Sequence, residues 1–401
     1  MAEPMIRFRR DDGSDYPTWQ VISLGDIASR VTRKNKNNET DIPLTISSID
    51  GLVDQRTYFG KTIASRDMSG YYLLKNGEFA YNKSYSAGYD FGSIKRLDKY
   101  DQGALSTLYI CFALKDPKIS DFMTCYFNSL VWNREMPMIC AEGARNHGLL
   151  NVSASDFFTI KIAMPESLEE QQKIASFFSD LDEVISASEE EVAALEKQKK
   201  GAMQKIFSQE VRFKKDDGSD YPEWEEDMGC NRINIINGKP FDSKKFTTVD
   251  NGNPIIRIRD LDECTITLYS TEKYEAKYKV KKGNILIGMD GDFSVVKWNN
   301  VDVGLNQRIM HVIGKNDYID DFMYYQLIPL IHEINVRTPF STVKHLSSNT
   351  VLNMKLLIPC LEEQQKIADF LSDFDTAIDF AKQELGKWKL LKKGLLQQMF
   401  V

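Results

Sequence analysis

The stretch LEEQQKIASFFSDLD at 168–182 returns almost unchanged as LEEQQKIADFLSDFD at 361–375, 193 residues later. A second pair, RFRRDDGSDYPTW at 7–19 and RFKKDDGSDYPEW at 212–224, repeats at an offset of 205 residues. A chain that contains its own plan twice folds as two versions of one body, and such a body suits a target that itself has two halves.

Each LEEQQ copy opens a strict four–three apolar rhythm. The first runs Ile174, Phe178, Leu181, Ile185, Ser188, Val192, Leu195, Lys199, Ala202 and Ile206; the second runs Ile367, Leu371, Phe374, Ile378, Ala381, Leu385, Trp388, Lys392, Leu395 and Met399. Ten successive seam positions in each copy predict two long helices packed as a coiled coil. Ser167 and Glu170 form a capping box after Pro165, whereas Pro359 and Cys360 make a weaker start. Lys199 and Lys392 stand at equivalent seam positions. A parallel pair would set the two ammonium groups against each other. An antiparallel pair places Lys199 near Phe374 and Lys392 near Leu181, where each stem lies on apolar surface and its head reaches water. Antiparallel packing is therefore expected, and by the same symmetry Arg7 is expected near Phe400.

Two regions of about 140 residues remain and are diverged copies of each other. ISDFMTCYF at 119–127 matches IDDFMYYQL at 319–327, and each region mixes short strand-like runs (LYICFAL at 108–114, NILIG at 284–288) with a helix around Asp-Phe-Met. The expected class is α+β: two pseudo-symmetric globular domains separated by two long antiparallel helices. The expected boundaries are 1–165 and 212–358 for the globular domains, with helical segments at 166–211 and 359–401.

The net charge of −7 looks unsuited to a nucleic-acid binder until it is located. Residues 166–210 carry −6 and residues 361–401 carry −1, so the remainder sums to zero and phosphate contacts must come from local basic clusters. The six cysteines have no Cys-x-x-Cys pairing and read as buried reduced thiols. No apolar run approaches a membrane span and MAEPMIRFRR is no signal peptide, so a cytoplasmic protein without membrane contact is expected.

The repeated LEEQQKIAxFxSxxD block, with the long helix ending KKGxxQxxF, resembles the specificity subunit of Type I restriction–modification enzymes. The resemblance runs through essentially the whole chain, including GNPIIRIRDL, KGNILIG, GLNQRIM and YNKSYSAGYDFGSIKRL. It implies a bacterial or archaeal DNA-reading subunit with no chemistry or cofactor of its own. Each globular region would be a target-recognition domain for one half of a bipartite, asymmetric double-stranded target, with the helices as spacer. Two adenine-methyltransferase subunits using S-adenosylmethionine would dock on it, with motor–nuclease subunits bringing ATP and Mg²⁺ as optional further partners.

Base reading calls for Arg or Lys toward guanine and Asn or Gln toward adenine, carried on loops. The candidates are Lys83, Ser84, Tyr85, Arg145, Asn146 and His147 in the first region. In the second they are Arg257, Arg259, Asn306, Gln307, Arg308, Ser341, Thr342, Lys344 and His345. Phosphate contacts are expected from Arg30, Arg33, Lys34, Lys36, Lys239, Lys244 and Lys245. The off-seam aromatics Phe177, Phe370, Phe207 and Phe400 either pack on the adjoining domain or form a docking surface for partner subunits.

Two other readings compete. Asp262 with Glu275-Ala276-Lys277 loosely matches the carboxylate–lysine set of metal-dependent nucleases, though in only one copy. A scaffold binding protein ligands at both ends, without DNA, is not excluded by the raw pattern. No dinucleotide or P-loop fingerprint occurs, no Asn/Asp-Pro-Pro-Tyr motif of adenine methyltransferases is present, and the four histidines lack metal-ligand spacing.

Overall fold

The computed structural model describes residues 3–61, 63–140, 150–247, 252–338 and 344–401. They form two compact units, Met1–Glu189 with Gln383–Val401, and Glu190–Lys382. Each unit holds one α+β domain and half of each long helix.

The first unit contains a two-stranded ribbon and two four-stranded sheets. Gln20–Ser23 pairs antiparallel with Lys161–Met164. One sheet runs Ala28–Arg30, Ile110–Leu114, Phe79–Asn82, Ser93–Arg96. The other runs Gly51–Asp54, Pro43–Ser47, Gln102–Leu105, Tyr72–Lys75, with Pro43–Ser47 and Gln102–Leu105 parallel. Helix α1, Ser120–Ser129, covers the first sheet, burying Phe122, Met123, Tyr126 and Phe127.

The second unit repeats this topology with one added strand. Glu225–Met228 pairs with Lys355–Ile358, and Ile233–Asn237, Ile309–Gly314, Ile285–Gly288, Val295–Lys297 form the matching sheet. The mixed sheet has one extra short strand, Phe246–Thr247, and keeps its parallel pair, Asn253–Ile256 with Val303–Leu305. A shared ion pair ties strand to helix in both units: Arg96 to Asp121 at 2.6 Å, and Lys297 to Asp321 at 2.6 Å. The strands expected at 108–114 and 284–288 and the helices at Asp-Phe-Met are all present. The second of those helices is longer, 18 residues against 10.

The two long helices, α2 (Leu168–Phe207) and α3 (Leu361–Met399), follow the predicted seam. Every one of the twenty seam positions is buried or half-buried. Pairing is antiparallel within each unit: Lys392 meets Asp182 and Lys389 meets Glu189 in the first, Lys199 meets Asp375 and Lys382 meets Glu196 in the second. The two seam lysines thus reach the residues beside Leu181 and Phe374, but each head group ends on a carboxylate instead of in water. A partly enclosed ammonium gains more from a paired charge than from the little solvent left to it.

The repeated DDGSDYPxW segment explains itself here. Its tight turn is held by Gly13 (φ +83°) and Gly218 (φ +84°), a left-handed conformation that favours glycine, and by the Asp12 and Asp217 carboxylates accepting from Ser14 and Ser219. The segment then clasps the start of a long helix. Arg7 donates to both oxygens of Glu170 at 2.9 Å and Arg212 to Glu363 at 2.9–3.3 Å, with the indoles of Trp19 and Trp224 donating to the same carboxylates. Glu170 therefore does not complete the capping box expected of it; only the Ser167 half forms, at 3.4 Å. Met5 and Ile6 donate to the carbonyl of Gln398, so the chain ends meet within the first unit as the repeat requires.

Cys111 and Cys264 are buried, and Cys125, Cys140 and Cys360 are half-buried. Cys230, against expectation, is exposed. Among the described residues no helix is long and apolar enough to cross a membrane.

Candidate nucleic-acid interface

Several loops converge at one end of the second domain's central sheet. The turn Asn306-Gln307-Arg308 leads from Val303–Leu305 into Ile309–Gly314, and the loop after Ile285–Gly288 lies beside it. Met289 donates to the Arg308 carbonyl at 2.9 Å, and Leu346 donates to the Met289 carbonyl at 2.7 Å. The side chains join as well: Asp290 forms an ion pair with Arg308 at 3.0 Å, accepts from it at 3.3 Å, and contacts His345 Nδ1 at 2.7 Å. Lys239 runs alongside, its backbone paired with Asn306 and Gln307 and its ammonium 2.5 Å from Glu272. That hydrogen bond holds the Glu272 carboxyl below the usual carboxylate range. The predicted groups at 306–308, 344–345 and 239 are thus neighbours, a convergence their sequence separation hides.

Some candidates are engaged in the fold. Arg257 is tied to buried Asp260 at 2.9 Å and to Thr267, so it braces its loop. Lys344 is buried, its ammonium 3.0 Å from the Asn335 carbonyl. Arg259, Gln307, Lys244 and Lys245 are exposed.

In the first domain, Lys83, Ser84 and Tyr85 occupy the loop after Phe79–Asn82, with Tyr85 61% exposed. The chain returns from the 141–149 segment onto this loop, Leu150 donating to the Lys83 carbonyl at 2.9 Å, just as Leu346 does to Met289. Ser48, which sequence reasoning missed, bonds Ser86 and Ser93 and anchors the same loop. Asp290 was missed too. Its only signal was its place in the loop matching 83–92, which becomes visible when the two copies are aligned strand by strand. Arg145, Asn146, His147, Ser341 and Thr342 lie outside the described residues.

Among the remaining phosphate candidates, Arg33 pairs with Glu78 at 2.7 Å, while Lys34 bonds the Gly70 carbonyl and sits 4.2 Å from the centre of the Tyr72 ring. Arg30 reaches the Tyr72 hydroxyl at 3.4 Å, and Lys36 is exposed.

Of the aromatic pairs, Phe400 is 1% exposed and packs against Phe178, Phe122 and Trp19, so it offers no surface to a partner. Phe207 is half-buried on Phe322. Phe177 lies on Phe8, and Phe370 lies on Phe213 while remaining 38% exposed.

Glu275 and Lys277 pair with each other at 3.0 Å on an exposed turn, and no group of three or more potential metal ligands is gathered among the described residues.

A family model for the Type I restriction modification DNA specificity domain matches residues 16–197 and 233–387. The chain belongs to that family. It is a DNA-binding specificity subunit, the component that reads sequence and not one that performs catalysis. The specificity subunit is 28% identical over 403 residues to the Type I restriction enzyme MjaVIII specificity subunit of Methanocaldococcus jannaschii, covering 94% of this chain and 91% of that one. It is 35% identical over 165 residues to the EcoBI specificity subunit of Escherichia coli, a match spanning 41% of this chain and only 35% of the relative. Among solved structures it shares its fold with the S subunit from M. genitalium (TM-score 0.55, 14% identity, 100% and 99% coverage). It likewise resembles a chain from work on assembly and conformational transition of the type I R-M system (TM-score 0.58, 16% identity, 96% and 98% coverage).

Proposed function

We propose that this specificity subunit reads a bipartite, asymmetric double-stranded DNA target, one short block per globular domain, with an unread spacer set by the long helices. The observation that carries this reading is the duplication of one sheet topology in two domains whose polar loops gather at one end but differ in chemistry between copies. Equal scaffolds with unequal loops suit two different half-sites. The functional division follows the sequence landmarks: recognition at 1–165 and 212–358, spacing at 166–211 and 359–401. The seam from Ile174 to Ile206 would extend about 50 Å, roughly 15 base pairs of duplex, and the whole target is expected to span about that length.

The partners proposed are two adenine-methyltransferase subunits, which carry S-adenosylmethionine, and motor–nuclease subunits, which use ATP and Mg²⁺. Phe370 and Phe177, on the outer side of the helix starts, are the aromatic candidates for methyltransferase docking. Methylome sequencing of a host with and without this chain tests the reading. The expected result is a split motif that disappears with the chain; one contiguous motif of four to six base pairs would overturn it.

A further inference from the structure

The two domains present different side chains at one matched position of their converging loops. In the first, Tyr81 faces Ile110 across the central antiparallel pair; in the second, Ile287 faces Met310. Two residues before Ile110 and Met310 stand Leu108 and Arg308, the latter accepting from the Met289 amide at its carbonyl. Leu108 and Arg308 are therefore equivalent by count from that pair, both in the turn before the central strand, with Tyr109 between Leu108 and its strand while Arg308 adjoins its own directly.

Both are turned outward, Leu108 at 64% exposure and the Arg308 side chain at 55%. A single exposed leucine is ordinary on a protein surface. Here it occupies the position that its twin gives to an oriented arginine. Arg308 also holds a left-handed backbone (φ +74°), uncommon for a residue with a long side chain and a frequent mark of a functional position. Its Nη1 is held by Asp290, whose Oδ1 also meets His345 Nδ1. That leaves the Nη2–Nε edge of the guanidinium without a partner among the described residues. A fixed guanidinium edge matches the O6 and N7 acceptors of guanine, whereas a branched apolar side chain matches the C5-methyl of thymine.

Resting on the reading that these loop-bearing ends face DNA, we propose that this matched position sets the base class in each half-target. Arg308, positioned by Asp290, takes a guanine in one block; Leu108 takes a thymine methyl in the other. Asp290 is a positioning residue that fixes the fork and touches no base.

The test uses the specificity subunit assembled with its methyltransferase partner, challenged with duplexes randomised in both blocks. Analogue duplexes then carry 7-deazaguanine for guanine or deoxyuridine for thymine, one position at a time. The intact complex is expected to lose on the order of tenfold affinity with 7-deazaguanine at one position of one block, and about fourfold with deoxyuridine at one position of the other. Arg308→Ala should become indifferent to the first change and Leu108→Ala to the second, each leaving the opposite block as it was. Arg308→Lys should keep affinity for random DNA while losing the guanine preference, because charge without the fork serves phosphate only. Asp290→Asn should weaken that preference without changing the salt dependence. A complex with no sequence preference at all overturns the bipartite reading itself. A selective complex whose motif survives Arg308→Ala, or whose thymine preference survives Leu108→Ala, overturns this inference alone.

Discussion

Arg7 donates to both carboxylate oxygens of Glu170 at 2.9 Å, joining residues 163 positions apart, and the Glu170 side chain is wholly enclosed. The second unit builds the same contact between Arg212 and Glu363. The near-identity of two widely separated sequence motifs thus has one physical cause. Each motif is half of a clasp that seats the chain's entry into a domain on the start of a long helix.

Glu170→Ala is expected to destabilise the first unit by about 2–3 kcal/mol, because it strands the Arg7 guanidinium and the Trp19 indole together. Glu363→Ala should do the same to the second. Urea denaturation of the single variants and of Arg7→Met/Glu170→Ala measures it; the double variant should recover part of the loss, since no charge is left unpaired.

Antiparallel register predicts a charge-swap result. Lys199→Asp and Asp375→Lys should each lower stability, and together restore it, with a coupling of about 1 kcal/mol. The coupling is small because Asp375 retains 39% exposure and water screens the pair. A double-mutant cycle on thermal midpoints measures the coupling, and its absence would remove the ion pair from the account of the seam.

Lys95 gives a pH signature. Its ammonium donates to Asn128 at 2.9 Å near the Tyr89 ring, and burial, then the charge of Lys392, lowers its pKa from 10.5 to about 8. The folded state releases this proton before the unfolded chain does, so the Lys95 contribution to stability rises between about pH 8 and 10.5. Below pH 8 both states hold the proton and the burial penalty is felt in full. Lys95→Met is therefore expected to exceed the native chain by about 1–2 kcal/mol at pH 7 after allowance for partial solvent access, with the margin vanishing near pH 10. Paired denaturation curves across that range provide the check.

Inserting seven residues in phase into both α2 and α3 keeps the seam and adds about 10 Å, or roughly three base pairs. Methylome sequencing should show both blocks unchanged and the unread gap longer. An unchanged gap would separate target spacing from helix length.

The long helices and their antiparallel seam were legible because helix periodicity is local: each apolar position is set by residues three and four away, and two like charges sufficed to choose direction. The clustering of candidate reading residues was not legible in this way. Arg308, Asp290 and His345 are separated by up to 55 residues, and only strand pairing brings them together. Lys344 and Arg257 looked like readers by residue type, yet packing commits them to Asn335 and Asp260.

Residue order alone determined that the chain is built twice, that it carries two long helices with an apolar seam, and which family it resembles. Those properties reside in short-range pattern, which survives without knowledge of neighbours. Tertiary structure decided that Glu170 serves Arg7 and not its own helix cap, that Phe400 is core, and that Leu108 and Arg308 are counterparts. Each of these depends on which distant group arrives first to satisfy a buried charge, an apolar face or an open strand edge, and one-dimensional spacing does not carry that information.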